Sequence, residues 1–292
     1  MFSKEAVLRR EPIPLRDFAE VFQRPRNNQE IFIWDGGQNT FGTWKDLKAE
    51  WVAQKVRERG IDTVMLITAG NAGYAVAKFL EGTRTKTVLI IDPKTPAEIK
   101  KHLYRAATRV LETDLSTKLS EADCLALLRE KAPECARGTV WDVTAGCEEA
   151  YEPIVAEIKH VRPELVVVPV GQGEGLIGIC KAVAKHNLKT RVLGVAPLSQ
   201  KYTIARNLVS EHPTPYLEQM AQAILPGAAG LAFIPEHLIR ANYAVIQKHT
   251  RNFNCDESSA IVFAAALYLR ESPWQDARAV FINSGKLKPT IL

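Results

Sequence analysis

The feature that most restricts the fold of this chain is a set of short apolar runs with hydrophobic residues at consecutive positions, separated by longer stretches of helical period. LVVVPV from Leu165, TVMLI from Thr63 and TVLII from Thr87 are the clearest. A strand with one wet face alternates apolar and polar residues, so a run that is apolar throughout needs a covering layer on both sides. IFIW from Ile31, RVLET from Arg109, TVWDV from Thr139, RVLGVA from Arg191 and AVFIN from Ala279 complete the series of candidate strands. Strands that alternate with helices predict an α/β protein whose largely parallel sheets are flanked by helices.

The helical segments can be placed in the same way. Ala49, Val52, Ala53 and Val56 lie at i, i+3, i+4 and i+7, which puts one apolar stripe on a helix from about residue 44 to residue 59. Gly60 then ends it. SSAIVFAAALYL from Ser258 is apolar nearly all round and follows Asp256, Glu257 and Ser258, the pattern of a capped, buried helix. With 292 residues, 46% hydrophobic and 24% charged, the chain is long enough for two lobes and leaves little room for disorder. No repeat or Gly/Ser linker marks a boundary between them.

Several classes of function are disfavoured. MFSKEAVLRREPIP lacks the apolar core of a signal peptide, and no later run reaches the roughly eighteen apolar residues of a membrane span. A cytoplasmic protein that does not engage a membrane is expected. The five cysteines (Cys124, Cys135, Cys147, Cys180, Cys255) are far apart and odd in number, which reads as reduced, mostly buried thiols. The six histidines form no ligand pair, so no metal site is expected. A net charge of +5 suits an anionic substrate or cofactor, but the basic residues form no long run, which argues against nucleic acid as a partner.

Three segments carry chemistry. In GTWKDLKAEW, Lys45 opens a helix just after the irregular stretch DGGQNTFGT, beside Phe41 and Trp44. A lysine that is to form an imine must lose its proton, and its ordinary pKa of about 10.4 falls with desolvation or nearby positive potential. A helix N-terminus among apolar neighbours can supply both, while Lys45 taken alone reads as a solvated surface lysine. In ITAGNAG, a strand runs into a helix through a turn whose amides can hold an anion, with Asn71 adding a side-chain amide; taken in isolation the motif reads first as a plain strand-to-helix turn with an Asn cap. In LVVVPVGQGEGLIGICKAV, a buried strand enters a glycine loop and then a helix, an arrangement that cradles phosphate. Glycines at 171, 173, 175 and 178, with Leu176 where the dinucleotide fingerprint needs glycine, disfavour NAD, and the missing Gly-Lys-Ser/Thr ending disfavours a nucleotide P-loop.

Taken in order, these segments make the chain resemble the tryptophan synthase β-like (fold type II) pyridoxal-phosphate enzymes, which include cysteine synthase, threonine dehydratase and threonine synthase. EPIPLRDF resembles the family's early Thr-Pro-Leu segment, NTFGTWKDLKA the run around its Schiff-base lysine, and TAGNAG its substrate loop. VPVGQGEGLIGI matches the phosphate loop without a gap, and FINSGKLKP resembles the turn that meets the pyridine nitrogen. The resemblance implies that Lys45 binds pyridoxal 5'-phosphate and moves the α-proton of an amino acid. By the same token Asn71 meets the ring hydroxyl, and Gly171, Gln172, Gly173, Glu174 and Gly175 hold the phosphate. Thr68, Ala69, Gly70, Asn71 and Ala72 line the substrate carboxylate site, and Ser284 sits at the ring nitrogen. A neutral hydroxyl at that nitrogen favours elimination and replacement over transamination.

The resemblance further implies a two-lobed α/β fold, each lobe a mostly parallel sheet flanked by helices. Residues 46–146 would form the smaller, closing lobe, and residues 1–45 with 147–292 the larger, cofactor-binding lobe of a homodimer. The Lys-Asp pair and SGKLK look most like threonine synthase, which implies a lyase acting on O-phosphohomoserine; cysteine synthase and the serine or threonine dehydratases are the alternatives. Two residues depart from the family pattern. Glu174 stands where glycine is usual, and facing a phosphate at ~4 Å it would cost about 1 kcal/mol per charge pair even in water, plus about 1 to 2 kcal/mol for a left-handed backbone. On that reading Glu174→Gly tightens phosphate binding, unless the acid turns to solvent. Ala69 lacks a carboxylate-gripping hydroxyl worth about 0.5 to 1.5 kcal/mol. These departures leave a non-catalytic relative, acting as a scaffold or partner subunit, as an alternative of another class.

Overall fold

The structure, a computed structural model, describes residues 13–14 and 30–287 apart from 200, 211, 250–253, 270, 271, 273 and 275. The opening segment up to Pro12, most of EPIPLRDF, and the Lys288 and Pro289 of FINSGKLKP therefore lie outside the described residues. Each strand foreseen in the sequence is present to within a residue or two. They are β2 (Ile31–Asp35), β3 (Thr63–Ile67), β4 (Lys86–Ile91), β5 (Arg109–Glu112), β6 (Val140–Asp142), β7 (Leu165–Pro169), β8 (Arg191–Pro197) and β10 (Ala279–Asn283). Two more complete the set, β1 (Ile13–Pro14) and β9 (Ala229–Ile234).

These strands form two sheets. One has six strands in the order β1-β2-β10-β7-β8-β9, parallel except for β1 against β2. The other has four parallel strands in the order β5-β4-β3-β6. The all-apolar runs fall at the sheet centres: β7 is buried at every position and β3 at all but Ile67. The six-stranded sheet is therefore covered on both faces, on one by a core containing Phe263 and Phe281 and on the other by one containing Trp34, Tyr151 and Leu176.

Helix α1 (Lys45–Arg59) follows the predicted stripe, and Gly60 ends it at φ 65° with its N–H on the Val56 carbonyl. Ala49, Val52, Ala53 and Val56 pack beside Val64 and Leu66 of β3 and Tyr74 of α2 (Asn71–Leu80), so α1 carries the chain from the six-stranded sheet into the four-stranded one. Helices α3 (Ala97–Ala106) and α4 (Glu121–Lys131) flank that smaller sheet, and α5 (Glu152–Ile158) leads back. Four more, α6 (Glu174–Lys185), α7 (Leu217–Ile224), α8 (Glu236–His249) and α9 (Ala260–Leu269), serve the larger one. Cys124, Cys135, Cys147 and Cys255 are buried free thiols, and burial pushes Cys124 and Cys147 up to about 12. No helix among the described residues is long and apolar enough to cross a membrane.

Candidate active site

Lys45 is placed by a tightly bonded turn. Asp46, the next residue, accepts the Phe41 N–H at 2.6 Å and the Thr43 hydroxyl at 3.3 Å, tying the incoming loop to the first turn of α1. Asn39 donates its amide to the Thr43 carbonyl at 2.6 Å. Thr43 bridges Gly285, and the Trp44 N–H reaches the Ser284 carbonyl at 3.0 Å. The Lys-Asp pair thus fixes the helix start, and the same bonds bring Ser284, just past β10, alongside Lys45.

The second turn joins β3 to α2. Gly70, at φ 150°, precedes Asn71, the first residue of α2. The Thr68 hydroxyl accepts from the Gly70 N–H at 3.1 Å and the Gly73 N–H at 3.0 Å, so it builds the turn. The amides of Ala69, Asn71 and Ala72 bond to nothing among the described residues and open at a helix N-terminus. The third turn joins β7 to α6. Gly173 takes the left-handed conformation (φ 92°), and a Cβ there would lie 2.8 Å from the Met220 sulfur. A Cβ on Gly175 would run into the Trp44 ring. The amides of residues 171–175 likewise have no partner among the described residues.

All three turns and Ser284 line one cleft of about 570 Å³. Every residue nominated from the sequence, Lys45, Thr68, Ala69, Gly70, Asn71, Ala72, Gly171, Gln172, Gly173, Glu174, Gly175 and Ser284, is on its wall.

The expectation for Glu174 needs correction. Its backbone is helical, because Gly173 takes the left-handed position, and its side chain turns neither to the loop amides nor to solvent. It is buried against Lys48, whose Nζ lies 2.8 and 3.0 Å from its two oxygens. Tyr151 and Tyr216 donate their hydroxyls to it at 3.3 and 3.2 Å. The feared repulsion toward a phosphate is thus matched by a cation and two donors. Lys45 Nζ in turn donates to the Tyr151 hydroxyl at 3.1 Å and lies 4.9 Å from the centre of the Trp44 ring.

Electrostatics follow from this packing. Burial pulls the Lys45 ammonium down to about 8; Glu174 opposes the shift and Lys48 adds to it. Burial also works to lower Lys48, but Glu174, Cys147 and Asp142 outweigh it and hold the Lys48 ammonium above its ordinary value. Burial and Glu174 push both tyrosine phenols up. Lys48 is absent from the residues nominated from the sequence, although its place three residues after Lys45, on the same helix face, is a signal that could have found it. Tyr151 and Tyr216 gave no comparable signal.

Two buried polar atoms of residues on the wall, Gln172 Oε1 and His212 Nδ1, have no partner among the described residues. Unpaired buried polar atoms are costly unless a ligand meets them. Among the described residues no cluster of His, Cys, Asp and Glu could hold a metal ion. A deprotonatable amine, a main-chain anion cradle at a helix N-terminus and a hydroxyl beside the amine together fit pyridoxal phosphate: an aldehyde for Lys45, a phosphate for the loop and a ring nitrogen for Ser284.

Two mostly parallel sheets that share such a cleft define the tryptophan synthase β-like class. The chain belongs to the pyridoxal-phosphate dependent enzyme family, which it matches over residues 8–285, and pyridoxal phosphate is its cofactor. Among solved structures it is similar to a pyridoxal 5'-phosphate-dependent aspartate racemase, at TM-score 0.76 and 14% identity over 95% of this chain and 90% of that one. It is also similar to diaminopropionate ammonia lyase from Escherichia coli, at TM-score 0.72 and 17% identity over 96% and 85% of the two chains. A third is a T.th. threonine deaminase, at TM-score 0.70 and 17% identity over 96% and 94%. A search of curated proteins gives no significant match.

Proposed function

We propose that this chain is a lyase that uses Lys45 and pyridoxal phosphate to eliminate or replace a side-chain group of a small, anionic amino acid. The observation that carries this reading is the convergence of Lys45, the Ala69, Asn71 and Ala72 amides, the 171–175 amides and Ser284 on one cleft, with the Lys45 pKa drawn down to about 8. Bound there, pyridoxal phosphate supplies an electron sink that acidifies the substrate α-carbon. The chain's own residues do the rest. The amides of residues 171–175 and the N-terminus of α6 hold the phosphate. The Asn71 and Ala72 amides take the substrate carboxylate, and the Asn71 side chain meets the ring hydroxyl. Lys45, near neutrality and flanked by Trp44 and Tyr151, takes and returns the α-proton.

Residues 46–146 act in this reading as the smaller lobe that closes over residues 1–45 and 147–292. The four-stranded sheet lies wholly within the first range and the six-stranded sheet wholly within the second, which supports that division. Lys94 and Arg206 line the cleft and form no ion pair among the described residues, which favours a substrate with an anionic side chain such as O-phosphohomoserine. Exposed Leu217, Leu225 and Phe233 near the β9 edge favour a homodimer, testable by size-exclusion chromatography.

The test is to add pyridoxal phosphate, reduce with borohydride and map the labelled peptide. Label on Lys45, lost in Lys45→Ala, supports the reading; label elsewhere or none sinks it and leaves a non-catalytic relative. Products then separate the reactions. Threonine plus inorganic phosphate marks the synthase, ammonia plus a 2-oxo acid a dehydratase, and a sulfur-substituted product a cysteine synthase.

A further inference from the structure

Ser284 is not an isolated hydroxyl. Its Oγ lies 2.7 Å from Ser259 Oγ, which lies 2.8 Å from Asp256 Oδ1 and 3.0 Å from the Gly285 carbonyl. Asp256 and both serines are buried. Three donors point at the Asp256 carboxylate: the Ser259 hydroxyl, the Ser259 N–H at 2.7 Å, and the Asn207 amide at 2.8 Å to the other oxygen. That set of donors matches an ionised carboxylate. Burial pushes its pKa up, and the bonds from Ser259 and Asn207 work to bring it down.

Proton counting then fixes the direction of the chain. Ser259 has one hydroxyl proton, and both neighbours other than Ser284 are pure acceptors, one of them charged. A hydrogen bond to an ionised acceptor is about twice as strong as a neutral one, so the Ser259 proton goes to Asp256. Ser284 and Ser259 can be 2.7 Å apart only if one donates, which leaves Ser284 as the donor. Its single proton is spent inward and only lone pairs face the cleft.

We infer that Asp256 and Ser259 are positioning residues that lock Ser284 as a hydrogen-bond acceptor, so that the site selects a protonated ring nitrogen on its cofactor. The inference rests on the site reading proposed above and revises one implication of the sequence. A lone neutral hydroxyl favours elimination and replacement over transamination because it leaves the ring a weaker electron sink; a hydroxyl held as an acceptor by a buried carboxylate strengthens that sink. The same bonds from Asp256 also cap the approach to α9, a structural role that the test has to separate.

The experiment loads the full chain with pyridoxal phosphate labelled with nitrogen-15 in the ring, and reads the ring-nitrogen chemical shift at neutral pH in the parent, Ser259→Ala and Asp256→Asn. Asparagine retains a capping oxygen, and Asn207 can reverse its amide to meet the new NH₂. The parent is expected at the pyridinium position. Ser259→Ala frees the Ser284 proton and moves the resonance to the unprotonated position, and Asp256→Asn moves it the same way by a smaller amount. An unprotonated nitrogen in the parent, or a resonance unmoved in Ser259→Ala, overturns the inference even with Lys45 correctly labelled. Absence of label on Lys45 is the separate outcome that removes the site reading as well. Should Asp256→Asn fail to fold, Ser259→Ala decides alone, with its thermal midpoint as the control for structure.

Discussion

Glu174 and Lys48 form an ion pair enclosed within the protein, and its value depends on both members remaining. Removing one partner of a buried pair leaves an uncompensated charge and typically costs about 3 to 5 kcal/mol. Glu174→Gly should therefore destabilise the fold rather than tighten phosphate binding, and Glu174→Gln should do so while keeping the side-chain volume. Denaturant unfolding without cofactor checks both. Because Glu174 raises the Lys45 pKa, Glu174→Gln should also move the pH midpoint of borohydride trapping at Lys45 below that of the parent. Lys45 itself predicts a pH dependence of stability. Its folded pKa, about 8, lies below the ordinary 10.5, so between those values the unfolded chain holds a proton that the folded chain has lost. Stability must therefore rise with pH across that window. Lys45→Met should abolish the rise and exceed the parent by about 1 to 3 kcal/mol at neutral pH, as read from unfolding curves of the cofactor-free protein. Lys45 could be nominated from the sequence because NTFGTWKDLKA resembles the run around the family's Schiff-base lysine. The fate of Glu174 was not legible there, since its partners are Lys48, Tyr151 and Tyr216, brought together only by the fold.

Among the elements, the turn between β7 and α6 sets how closely the loop can approach the rest of the cleft. Gly173 carries the positive φ, and Gly175 leaves room for the Trp44 ring that neighbours Lys45. Gly173→Ala should cost about 1 to 2 kcal/mol for the left-handed backbone, and more if Met220 cannot give way. Gly175→Ala should instead push Trp44 and so displace Lys45. It is expected to lower the rate of imine formation with pyridoxal phosphate more than it lowers the thermal midpoint, which stopped-flow absorbance and a melting curve would separate. The strands were readable wherever residues were apolar at consecutive positions. β9 escaped because AGLAFI has few β-branched residues, stands at the sheet edge, and has only Ala229 and Ile234 buried. The helix at α9 was foreseen, and it begins at Ala260, two residues after Ser258, because Asp256 accepts the Ser259 N–H and hydroxyl and holds Ser259 in the turn before it.

For the molecule as a whole, the sequence order of elements showed that the protein was α/β, but not that β10 would lie between β2 and β7. That strand order results from long-range pairing, with Ala279 beside Ile31 on one side and Leu165 on the other. The four-stranded sheet draws only on residues between Thr63 and Asp142, so all its partners are available once that stretch exists. The six-stranded sheet has no such independence. During synthesis β2 emerges before β7 and then waits, with the two-residue β1 as its neighbour among the described strands, until more than two hundred later residues have been made and β10 arrives to join it to β7. β2 throughout that interval, and β7 from its own synthesis onward, present an open apolar edge, a condition that exposes a nascent chain to aggregation. A chain cut before Ala279 should keep the smaller sheet, lose the larger, and collect in the insoluble fraction.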